Sequence, residues 1–170
     1  MSRIACVMTN MFEDSEYTSP LEAFEKEGHT VTVIEKEKGK KVTGKNGEAE
    51  VETDMGIDDA DPASFDALFI PGGFSPDILR ADDRFVAFSK HFVLHDKPIF
   101  AICHGPQLLI TADVLYGRKM TGFVSIQVDL RHAGAVVFDE EVVVDHGLVT
   151  SRTPHDLDAF NRESVKQLKA

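Results

Sequence analysis

Residues 99–107 read Ile99-Phe100-Ala101-Ile102-Cys103-His104-Gly105-Pro106-Gln107. The apolar run Ile99 to Ile102 has the length and character of a buried parallel strand. It stops at Cys103, and Gly105 and Pro106 then open a helix that continues to Thr111, proline being suited to a first helical turn. A strand that turns at once into a helix is the repeating step of an α/β fold, and a side chain on that turn projects from the carboxyl edge of the sheet, where open α/β folds place their sites. The helix start presents free N–H groups and the positive end of a dipole. Both favour a thiolate, and the same N–H groups suit an oxyanion. Cys103 is therefore the candidate nucleophile. The other cysteine, Cys6, lies inside an apolar strand and reads as a small buried residue.

The same alternation extends outward in both directions. Arg3 to Met8 and Thr30 to Ile34 are strands, and between them Pro20, capped by Ser19, starts a helix that ends at Gly28. The segment Thr9 to Ser19 reads as a polar loop whose carboxylates are solvated. Val42 to Glu52 is a hairpin turning at Asn46-Gly47. Ala67 to Ile70 is a strand ending at Pro71-Gly72-Gly73, and Phe85, Phe88, Phe92 and Val93 recur at helical spacing up to Lys97-Pro98. Val142 to Asp145 and Leu148 to Ser151 flank the turn His146-Gly147. Pro154 starts a last helix with Leu157, Phe160, Val165 and Leu168 on its apolar face. The expected fold is an α/β three-layer sandwich, flavodoxin-like, with a mostly parallel sheet and helices on both faces. It spans residues 1–170 as one domain.

Composition narrows the function. The chain has 170 residues, 42% hydrophobic and 28% charged, and a formal net charge of −11. That charge opposes nucleic-acid and anionic-membrane partners. The basic stretch Lys36 to Lys45 is broken by Glu37, Gly39 and Thr43 and reads as a solvated loop. No apolar run reaches membrane-helix length and no leader is visible, so a cytoplasmic location with reduced cysteines is expected. Neither CxxC nor HExxH occurs, and His91 and His95, four residues apart, lack an evident third ligand, so no metal is expected. His29, His132 and His146 read as ordinary surface or turn residues. His155 sits at the last strand-to-helix junction, near the expected pocket mouth, and reads as exposed.

The stretch Ala101 to Gln107 resembles the nucleophile motif of the ThiJ/PfpI family of the class I glutamine amidotransferase-like superfamily. Three other stretches are similar to that family in order and spacing: Phe12-Glu13-Asp14; Phe65-Asp66-Ala67-Leu68 leading to Pro71-Gly72-Gly73; and Ser151-Arg152-Thr153-Pro154 with Asp156-Leu157. The resemblance implies that Cys103 is the nucleophile and that a protonated Glu13 donates a hydrogen bond to its sulfur. It implies His104 as a base, completed by an acid from a neighbouring subunit at Asp77, where the family's best-known protease carries glutamate. Gly72 and Gly73 would face the His104 N–H across an oxyanion hole. No cofactor is implied, and a homo-oligomer, a dimer or larger, is.

Two function classes remain open at this point. One is a cysteine hydrolase or lyase acting on small reactive carbonyl compounds, in a glyoxalase or deglycase manner, or on peptides. The other is a non-enzymatic redox-sensing or chaperone-like stress protein that uses an oxidisable Cys103. An amidotransferase would need a His-x-Glu pair near the C-terminus, where the chain reads Thr153-Pro154-His155-Asp156-Leu157. A flavin site would need a phosphate-cradling loop after the first strand, where Thr9 to Glu13 is acidic.

Overall fold

The structure, a computed structural model, describes residues 1–169. Along the chain the elements are β1 (Arg3–Val7), α1 (Asp14–Lys26), β2 (Thr30–Glu35), β3 (Lys41–Thr43), β4 (Glu50–Glu52), β5 (Met55–Gly56), β6 (Ala67–Ile70), α2 (Ser75–Leu79), α3 (Asp83–Leu94), β7 (Ile99–Ile102), α4 (Pro106–Thr111), β8 (Lys119–Met120), α5 (Gln127–His132), β9 (Val136–Val137), β10 (Val143–Asp145), β11 (Leu148–Ser151) and α6 (Leu157–Lys169). A seven-stranded sheet runs in the order β10-β11-β7-β6-β1-β2-β5. All its pairs are parallel except β10 with β11. This is the three-layer α/β sandwich that the alternation of strands and helices predicts.

Side chains of successive strand residues point to opposite faces, and both faces are covered. Ala5, Val7, Leu68, Ile70, Ile99 and Ala101 point toward Phe85 and Phe92 of α3 and Leu108 of α4. Ile4, Cys6, Ala67, Phe69, Phe100 and Ile102 point toward α1 and α6. There Phe24 lies 5.6 Å from Phe69 and 5.5 Å from Phe100 between ring centres, and Phe160 lies 6.4 Å from Phe69. Burying each such ring is worth about 2–3 kcal/mol, so this wedge holds the two helices to the sheet. No helix among the described residues is long and apolar enough to cross a membrane.

The chain leaves β1 for β2 on one side and returns to β6 on the other. A crevice opens where the strand order reverses, at the carboxyl ends of β1 and β6, and β7 lies next to it. In open α/β sheets ligands bind at such a crevice.

Two local readings are corrected. Helix α1 starts at Asp14, so Pro20 stands inside the helix, where it cannot donate to the Glu16 carbonyl. Asp14 and Glu16 stand in that first turn, and the ionised Asp14 complements the helix dipole there. Both are buried, not solvated. Asp14 accepts N–H bonds from Asn46 (2.9 Å), Glu48 (3.0 Å) and Ala49 (2.8 Å), which docks the tip of the β3–β4 hairpin against the helix start. Against the penalty of burial, these donors hold the Asp14 carboxyl below the usual carboxylate range.

Candidate active site

Cys103 follows β7 with φ +61°, a left-handed conformation that non-glycine residues seldom adopt. Two long-range backbone bonds hold it there: its N–H donates to Ser151 (3.0 Å) and its carbonyl accepts from Phe123 (2.9 Å). Strain maintained in this way is characteristic of a nucleophile elbow. Gly105 is needed for the turn, because a Cβ there would stand 2.5 Å from the Ile70 carbonyl oxygen.

The carboxyl beside the sulfur belongs to Glu16, which corrects the expectation of Glu13. The Glu16 side chain is fully buried and sits beside the Cys103 thiol, each group perturbing the ionisation of the other. Its Oε1 accepts the Gly72 N–H at 2.9 Å. The Glu13 side chain lines the same pocket but is engaged elsewhere, with Oε2 2.7 Å from Lys45 Nζ and Oε1 accepting from Asn46 at 2.8 Å. The reason lies in the earlier helix start. Glu13 is the extended residue before α1, whereas Glu16 is inside the first turn and faces the sheet edge. Gly72 makes the approach possible, since a Cβ there would collide with Glu16 Oε1 and lie 2.8 Å from the Cys103 Cβ.

Burial, then repulsion from Glu13, raises Glu16 to about 8, against the opposing pull of the Gly72 N–H, Cys103 and Lys45. Burial, then Glu16, pushes the Cys103 thiol well above its ordinary value, although the nearby backbone N–H groups of His104 and Gly73 oppose this. Two acids in contact cannot both ionise easily in a buried site. The pair therefore loses its first proton near pH 8, and two N–H groups stand ready for the charge that forms on sulfur. The backbone N–H groups that act on the sulfur are those of His104 and Gly73. Gly72, expected at the oxyanion hole, spends its N–H on Glu16.

The His104 ring lies beside Cys103, with Nδ1 3.3 Å from its Sγ. It stacks on Phe123 at 4.9 Å, and its Nε2 is 3.5 Å from Ser125 Oγ. Burial and then the charge of Lys45 lower its pKa, opposed by Asp77. Its neutral, proton-accepting form is accordingly favoured. Asp77 is exposed on α2 and acts on His104 through its field, with no hydrogen bond to it among the described residues.

These groups line a pocket of about 290 Å³. Phe74 and Phe123 supply apolar walls, and Thr153, Pro154 and the exposed His155 close the far side. Arg152 braces that wall through bonds of 3.0 and 3.1 Å to Asp156. Size alone does not identify the site, since a hollow of about 460 Å³ near Met1 and Gln167 contains no nucleophile. Lys45 also lines the pocket, which corrects the reading of Lys36 to Lys45 as a solvated loop. Only the hairpin docking through Asp14 reveals this. Glu16 had a weak sequence signal, its i, i+3 spacing from Glu13 at a helix start. Among the described residues no three His, Cys, Asp or Glu side chains form a metal-holding group, and the His91 and His95 rings stack on each other at 3.8 Å.

The sequence pattern of the DJ-1/PfpI family matches residues 2–167. General stress protein 18 of Bacillus subtilis is 64% identical over 98% of this chain and 98% of its own. Protein/nucleic acid deglycase 2 of Escherichia coli is 59% identical over 99% of this chain and 98% of its own. A crystal structure of a two-domain protein from Anabaena variabilis, with DJ-1/ThiJ/PfpI-like and ferritin-like domains, superimposes with a TM-score of 0.97 and 36% identity. That match covers 99% of this chain and 48% of the larger protein.

Proposed function

The chain belongs to the DJ-1/PfpI family, and from that premise we propose that it is a cofactor-independent cysteine hydrolase or lyase that removes reactive carbonyls in the cytoplasm. The observation that carries the proposal is the strained Cys103 with the His104 ring 3.3 Å from its sulfur and the buried Glu16 carboxyl beside its thiol. A relative named as a deglycase and another named as a stress protein support the same reading.

With a 2-oxoaldehyde the chemistry runs as follows. The Cys103 sulfur bonds to the aldehyde carbon, its proton passes to the neutral His104 Nδ1, and the carbonyl oxygen takes up a proton to give a hemithioacetal. The hydrogen on that carbon then leaves as a proton, and a proton is returned to the neighbouring carbon. The aldehyde carbon is thereby oxidised to a thioester while the ketone carbon is reduced to an alcohol, with no external oxidant. Water cleaves the thioester, releases a 2-hydroxy acid and restores the thiol. An aldehyde already added to an amine enters at the first step with loss of the amine. A homo-oligomer that brings Asp77 to a neighbouring His104 is part of the proposal.

The test is methylglyoxal consumption with lactate formation, in parallel with amine release from a methylglyoxal-treated peptide. Wild type is expected to show both, and Cys103→Ala neither. Absence of both from wild type sinks the proposal. Peptide-bond cleavage without carbonyl consumption would replace it with a peptidase.

A further inference from the structure

Lys45 has no role in the chemistry above, yet it is among the most firmly placed side chains at the pocket. Its backbone N–H donates to the Phe12 carbonyl at 2.8 Å, and the neighbouring Thr43 carbonyl accepts from Met11 at 2.9 Å. The loop that carries it is held by the three N–H bonds to buried Asp14. Gly44 is required there, because any Cβ would overlap the Asp14 carboxylate. The ammonium is 2.7 Å from Glu13 Oε2 and 6.0 Å from the centre of the Phe74 ring. About a third of the side chain, 35%, stays exposed to the pocket mouth. A surface lysine is normally a mobile point charge, and this one is restrained at both ends.

An ammonium has three donors. Glu13 takes one and the Phe74 face lies to one side, which leaves donor capacity for the pocket that Lys45 shares with Cys103. Its charge is felt by both Cys103 and Glu16. We propose that Lys45 is the specificity-determining residue, donating a hydrogen bond to the oxygen on the carbon next to the one that Cys103 attacks. The pocket then favours 2-oxoaldehydes and their adducts over simple aldehydes, which lack that oxygen. It also disfavours 2-oxo acids. A carboxylate would face Glu13 and, once it ionises, Glu16, whereas the Lys45–Glu13 pair is neutral overall and suits a neutral dipole. During turnover the proton leaves the attacked carbon and negative charge develops on this second oxygen, where a fixed ammonium is most effective.

The inference rests on the carbonyl chemistry proposed for Cys103, so its test is a readout independent of turnover. Iodoacetamide presents a neutral oxygen on the carbon next to the one attacked, iodoacetate presents a carboxylate there, and iodoethane presents no oxygen. Rates of Cys103 alkylation by each are measured by mass spectrometry in wild type, Lys45→Met, Lys45→Arg and Glu13→Gln. The iodoacetamide-to-iodoethane ratio is expected to fall about tenfold in Lys45→Met, the value of one charge-assisted hydrogen bond, and to be largely kept in Lys45→Arg. Glu13→Gln leaves the ammonium unneutralised and is expected to raise the iodoacetate-to-iodoacetamide ratio several-fold, which keeps the proposal testable if Lys45→Met does not fold. Unchanged ratios, or a wild type that reacts faster with iodoacetate than with iodoacetamide, overturn the role of Lys45. Methylglyoxal turnover with unchanged ratios refutes this inference alone. Shifted ratios without any turnover refute the carbonyl-removal reading and leave Lys45 as the recognition residue.

Discussion

Replacing Glu16 with glutamine is expected to stabilise the protein at neutral and alkaline pH, although it removes a buried group that touches the nucleophile. The unfolded chain releases the Glu16 proton near 4.5 and the folded protein holds it to about 8. Between those values the folded state binds one more proton than the unfolded state, so stability falls as pH rises through the window. At about 1.4 kcal/mol per pH unit, burying Glu16 costs about 3 kcal/mol at pH 7, where the folded protein still holds the proton that the unfolded chain has released, and up to about 5 kcal/mol above pH 8. Glutamine avoids this cost. It keeps an oxygen for the Gly72 N–H and gains an amide that faces the Cys103 sulfur, so at pH 5 the two proteins should agree within about 1 kcal/mol. The assay is urea unfolding of both proteins at pH 5, 7 and 8.5, each reported as a difference at one pH. Contributions of groups that the substitution leaves untouched cancel in that difference. A difference that does not change between pH 5 and 8.5 would show that Glu16 is ionised at ordinary pH, and the assignment of a shared buried proton would be wrong.

Three further outcomes are expected. The rate of iodoacetamide labelling of Cys103 should rise with pH through about 8, because the Glu16–Cys103 pair loses its first proton there; a rate that is flat from pH 6 to 9 would contradict the pair. Mild peroxide should oxidise Cys103, which is 8% exposed at the pocket, and spare Cys6, which is fully buried and whose thiol is raised by burial and then Asp54; equal modification of the two by mass spectrometry would count against a special environment at Cys103. Gly72→Ala should lower stability by about 1–3 kcal/mol and abolish the rise of Cys103 labelling through pH 8, since its methyl occupies the space in which Glu16 meets Cys103; normal melting and labelling would show that the contact relaxes without cost.

Much of the architecture could be read along the chain. The strand-turn-helix at Ile99 to Thr111 is local: an apolar run, a small residue and a proline decide it within a dozen positions. The His146-Gly147 turn is legible for the same reason, since both residues take positive φ, 47° and 83°. Cys103 stands on the elbow where that reading put it. The start of α1 is hidden in the sequence, because Pro20 is the more conspicuous helix-start signal. Asp14 and Glu16 carry the true start, and their preference for the positive end of a helix is weak.

The linear sequence by itself determined the order of elements, the parallel sheet and the identity of the cysteine at its edge. Each of these follows from periodicity and from residues a few positions apart. Which carboxyl reaches that cysteine was decided by tertiary structure, through a bond between Glu16 and a backbone group 56 residues away at Gly72. The same holds for Lys45, which reads as one lysine in a basic stretch until Asp14 fixes its loop, 32 to 35 residues distant, against the helix start. Burial turned Glu16 into a carboxyl that keeps its proton to about 8, and burial is a property of the surroundings that the packed fold creates.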